Sequence, residues 1–140
     1  MKHLFLLLLM IGNSFIVNAQ QTTSSIATAR LGFPGSMVLI PIDSLRTAYY
    51  ICGIGSTIDL HIIPNDSLDQ LVSNWKKGVY EPKNLDPRIT LGHNIYIKPY
   101  SEATPEVIKE VSSTVRFNWI KSFSITKIEE EEEALVKAKL

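Results

Sequence analysis

The chain has 140 residues, 14 basic and 14 acidic side chains and a formal net charge of zero, so neither nucleic acid nor an anionic membrane surface is an electrostatically favoured partner. Its single cysteine, Cys52, excludes an internal disulfide and with it a disulfide-stapled miniature. The length suits one domain around one core.

Residues 1–19 read as a cleavable secretory signal. Lys2 and His3 make a short basic start, Leu4 to Val17 is mostly apolar, and Val17-Asn18-Ala19 puts tolerated side chains before a cut after Ala19. A membrane span needs about 20 apolar residues, and Gly12, Asn13 and Ser14 interrupt a stretch already shorter than that. The expected location is periplasmic or secreted. Residues 20–36 are expected as a flexible leader, rich at first in Gln, Thr, Ser and Ala.

A single domain is predicted over residues 37–128. Met37 to Ile42 is a short apolar strand, and Pro41 within it points to a sheet edge. Tyr49 to Ile54 and Thr57 to Ile62 form a hairpin around Gly53 to Ser56. Ile58, Leu60 and Ile62 face inward there, with Asp59 and His61 outward. Pro64-Asn65-Asp66-Ser67 opens a helix, Ser67 and Gln70 having capping-box spacing. Leu68, Leu71, Val72 and Trp75 line one face of that helix, and Lys76-Lys77-Gly78 closes it. Residues 79–88 form a loop. Asn94 to Pro99 is a strand with Ile95 and Ile97 inward. Thr104 then caps a second helix, with Pro105 at its first position and Val107, Ile108, Val111 and Val115 as its apolar stripe, and Phe117-Asn118 ends it. Ile120 to Ile128 is the last strand. The run Glu129 to Glu133 should repel itself, making residues 129–140 an acidic tail, either solvated or a frayed helix that the four-residue spacing of Glu133 and Lys137 would help slightly.

The fold class expected is α+β: a small mixed sheet of four to five strands in ββαβαβ order, with two helices packed on one face. The other face would carry Asp59, His61, Tyr96 and Lys98, and would be solvated or covered by a partner.

Chemistry-bearing patterns are sparse. Cys52 and His61 on neighbouring strands are the candidates for a thiol nucleophile pair, but Ile51 and Ile54 give Cys52 the setting of a buried structural thiol. His93, between Gly92 and Asn94, reads as a turn residue. Two histidines without spaced thiolate or carboxylate partners make no zinc set, and a bare glutamate run lacks calcium-loop geometry. Gly53-Ile54-Gly55 lacks the lysine of a phosphate loop, and no Gly-x-Ser-x-Gly elbow is present. Trp75 and Trp119 read as core or interface anchors. No cofactor, metal or catalytic site is expected.

The ordered segments Ile95-Tyr96-Ile97-Lys98-Pro99, Glu102-Ala103-Thr104, Val107-Ile108-Lys109-Glu110-Val111 and Trp119-Ile120-Lys121-Ser122-Phe123-Ser124-Ile125 resemble the C-terminal half of the periplasmic domain of ExbD/TolR proteins. The resemblance implies a strand, turn, amphipathic helix and closing strand. It also implies a non-catalytic envelope module that dimerises and contacts envelope proteins or cell-wall polymer. The family's transmembrane helix and its acid have no counterpart here, because nothing acidic precedes Asp43. The expected function is thus an exported binding module and homodimer, with Phe123, Ile125, Tyr96 and Lys98 as possible interface residues. The alternatives are a small secreted hydrolase or thiol enzyme using Cys52 and His61, and a lineage-specific structural protein of the envelope.

Overall fold

The computed structural model describes residues 33–53, 57–84 and 86–140. The signal segment, its cut after Ala19 and the leader up to residue 32 lie outside the described residues. The elements run β1 (Met37–Pro41), β2 (Arg46–Ile51), β3 (His61–Pro64), α1 (Leu68–Lys76), β4 (Ile95–Ile97), α2 (Pro105–Phe117), β5 (Phe123–Ile125) and α3 (Glu130–Lys139). The five strands make one mixed sheet in the spatial order β3-β2-β1-β4-β5. β2 is antiparallel to both β1 and β3, whereas β4 is parallel to both β1 and β5. The class is α+β with five strands, as expected, but the full order is βββαβαβα, with one helix more than expected.

The strand with Pro41 is the middle strand, not an edge. Met37, Val38, Leu39 and Ile40 are apolar at both alternations and all are buried, as a strand covered on both faces requires. Pro41 is tolerated because it ends β1. The ladder to β4 stops at the Leu39–Ile97 pair, while the Pro41 carbonyl accepts from the Tyr100 N–H at 3.0 Å. The N–H that proline lacks would point past β4, where no strand residue waits.

Strand register sorts the core into two layers. Met37, Leu39, Ile95 and Ile97 pack with Leu68, Leu71 and Val72 of α1 and with Val111 and Val115 of α2. On the alternate parity, Val38 pairs with Tyr50 and Tyr96, and Ile40 with Ala48. That face was expected to be solvated or covered by a partner. It is covered by α3, whose Val136 and Glu132 are buried. His61 does not share it with Tyr96 and Lys98: His61 pairs with Tyr49 across the sheet and stacks on its ring at 5.3 Å, on the parity of Leu39.

The acidic run is therefore the first turn of a helix and not a solvated tail. Glu129 is the N-cap, and its backbone N–H donates to Glu132 Oε2 at 2.8 Å in a reciprocal capping box. Glu130 to Glu133 lie where the helix dipole favours anions, with Lys137 and Lys139 at the opposite end.

Two local corrections and one agreement complete the picture. Ser67 caps α1 without a side-chain hydrogen bond, because a 3-10 turn, Asn65–Ser67, enters the helix. Thr104 does cap α2, accepting from the Val107 N–H at 3.4 Å. The end of the expected leader is folded: Gly35 N–H donates to Cys52 O and Cys52 N–H to Ser36 O, both at 2.8 Å. Ser36 is buried against Gly92, which leaves no room for a Cβ there.

Candidate functional site

Two helices end in the same motif with different residues. After α1, Gly78 takes φ +79°, its N–H donates to Trp75 O at 3.0 Å, and Val79 N–H reaches Asn74 O at 3.1 Å. After α2, Trp119 takes φ +58°, its N–H donates to Arg116 O at 2.9 Å, and Ile120 N–H reaches Val115 O at 3.4 Å. Both are Schellman ends, in which glycine is the usual left-handed residue. A side chain with a Cβ costs about 1–2 kcal/mol in that conformation. Trp119 recovers little of that by burial, since it is 80% exposed.

The ring stands at the mouth of a cleft of about 400 Å³, lined also by Trp75, Glu81, His93, Ile120, Lys121 and Ser122. Trp75 is fixed as one wall by a hydrogen bond from its indole N–H to Gly35 O at 2.8 Å. Lys76, also in the wall, donates to Asn118 O at 2.9 Å and steadies the turn that presents Trp119. A second groove, about 600 Å³, lies between Asp66, Glu106, Lys109, Glu110 and Phe117; it holds no residue in a strained backbone conformation. Strained backbone conformations cluster at functional sites, so the Trp119 cleft is the stronger candidate.

From this cleft the chain runs directly into β5, an outer strand of the sheet. Ile95 N–H donates to Ser122 O at 3.1 Å and Thr126 N–H to Ile97 O at 2.9 Å. In a parallel ladder this alternation turns the backbone groups of Phe123 and Ile125 away from β4, toward the open edge. Phe123 is half-buried under the Arg116 guanidinium, 5.5 Å from its ring centre. Ile125 is 53% exposed.

The four residues expected at an interface thus separate. Phe123 and Ile125 lie on the open edge, Tyr96 lies on the α3 face, and Lys98 is buried and unavailable to a partner. Its Nζ donates to Glu132 Oε1 at 2.7 Å, and Tyr50 Oη donates to the same oxygen at 2.5 Å. This triad joins β2, the end of β4 and α3. Burial, then the hydrogen bond to Glu132, raises the Tyr50 hydroxyl far above the usual phenol range.

Cys52 and His61 are not brought together. Cys52 lies beyond β2 on the parity of Tyr50, whereas His61 lies opposite Tyr49 and contacts Asp59 at 3.0 Å. Burial pushes the Cys52 thiol from 9.0 up to about 11, against a smaller opposing effect of the Lys98 charge. Both Cys52 and Tyr50 are therefore held protonated by folding. Their contribution to stability is complete below pH 9 and is lost as pH rises from there through about 11 and beyond. Urea unfolding from pH 6 to 11 should give a flat free energy to pH 9 and a decline above it. At pH 8 a thiol reagent should label Cys52 only as fast as the protein opens, and immediate labelling would contradict the burial.

Among the described residues no cluster of His, Cys, Asp or Glu could hold a metal ion, and no helix is long and apolar enough to cross a membrane. Comparison with family models, curated proteins and solved structures finds no match. The sequence marks Trp119 as an anchor but not its left-handed conformation. The available signal was a helix ending Phe117-Asn118-Trp119, with no glycine at the position that follows the cap.

Proposed function

We propose that this chain is an exported, non-catalytic binding module of the cell envelope, which engages a partner through the Trp119 cleft and the adjoining edge of β5. One observation carries the proposal: a bulky aromatic sits in a left-handed conformation while 80% exposed at a cleft mouth. Tryptophan is enriched at binding hot spots, because one rigid ring buries a large apolar area on contact. Export rests on residues 1–19 read as a signal. The ExbD/TolR resemblance supplies the wider frame, a module that binds an envelope protein or cell-wall polymer without the family's intramembrane acid and hence without conducting ions.

Affinity capture from an envelope extract tests this, with the mature chain as bait beside its Trp119→Gly variant. A component retained by the wild type and lost by the variant is the expected result. Equal retention by both baits would remove the cleft from the account.

A further inference from the structure

Resting on the binding role just proposed, we infer that the occupant of the β5 edge is an extended acidic peptide segment of a protein partner, added as a sixth strand. The edge offers the backbone groups of Phe123 and Ile125, and strand addition draws affinity from such groups and specificity from adjoining side-chain pockets. The Trp119 cleft opens at the N-terminal end of this strand, with Lys121 and Ser122 in its wall.

Charge selects the partner. Between Glu110 and Glu129 the chain has no acid, yet it carries Arg116, Lys121 and Lys127, although the whole chain is neutral. Lys121 and Lys127 flank the strand symmetrically, both exposed, and among the described residues neither is held in an ion pair. A second copy is a poor occupant. The antiparallel register that best overlaps Phe123 with Ile125 of a second chain puts Lys121 opposite Lys127, and like charges directly opposed destabilise a strand pair. An acidic strand reverses that sign at both ends.

The test uses two labelled peptides of alternating valine and threonine, one ending in glutamates spaced as Lys121 and Lys127 are, the other ending in lysines. Fluorescence polarisation should show the acidic peptide binding about tenfold more tightly, two partly exposed ion pairs contributing the difference. Lys127→Glu should abolish that preference. Ile125→Pro removes only an outward N–H, so it should leave circular dichroism unchanged and eliminate binding. Equal binding of the two peptides, or binding that survives Ile125→Pro, would overturn the inference. So would a concentration-dependent dimer that Ile125→Pro dissolves, which would assign the edge to a second copy. If neither peptide binds while Trp119→Gly still loses an envelope component, the acidic-strand inference fails and the cleft proposal stands.

Discussion

Replacing Glu132 with alanine is expected to destabilise the protein by about 3–5 kcal/mol, the range for removing one partner of a buried charge pair. The Lys98 ammonium would remain with a side chain 9% exposed, and the Tyr50 hydroxyl would lose its acceptor. The variant also lacks half of the capping box that starts α3. Urea denaturation should show the loss, and amide exchange should rise first in α3, leaving α1 and α2 protected. The same logic predicts that the triple replacement Glu132→Leu, Lys98→Met and Tyr50→Phe costs less than Glu132→Ala alone, because neither a buried ammonium nor a buried hydroxyl is left stranded and only the Glu129 N–H at the helix start loses its acceptor. A loss below about 1 kcal/mol for Glu132→Ala would mean that α3 is not anchored through this triad.

That anchor is what the sequence of the C-terminus does not reveal. Five adjacent glutamates look like a self-repelling run, and all five would be one in an unfolded tail. At a helix start, however, the unpaired N–H groups and the dipole favour them. The fourth glutamate of the run also closes the capping box and reaches into the sheet. Nothing in the local pattern indicates that Lys98, far earlier in the chain, is its partner. The Thr104-Pro105 start of α2 and the Leu68, Leu71, Val72 stripe of α1 were legible because each depends on neighbours within a turn or two. The central place of β1 was legible in principle. Met37 to Ile40 is continuously apolar, the pattern of a strand buried on both faces, although Pro41 points the other way. A proline at the end of a strand does not interrupt the ladder, and Pro41 ends β1 beyond its last pair with β4.

The candidate site was less legible than the fold. Phe123 and Ile125 could be assigned to a last strand, whose place at the sheet edge comes from the topology. The separation of Tyr96 and Lys98 from them needed the register, because one residue of offset moves a side chain to the other face. The left-handed Trp119 was the least accessible feature, since its conformation follows from where α2 stops and from Ile120 returning to the core.

Trp119→Gly tests the central claim directly, because it asks whether this residue serves the fold or something outside it. Glycine relieves the left-handed strain at some entropic cost in the unfolded chain, and little burial is lost from a side chain already 80% exposed. The expected result in thermal and urea unfolding is a gain of about 0.5–1 kcal/mol, seen as a rise of a few degrees in Tm. A fall in stability of similar size would contradict the account, placing Trp119 among the residues that hold the fold together.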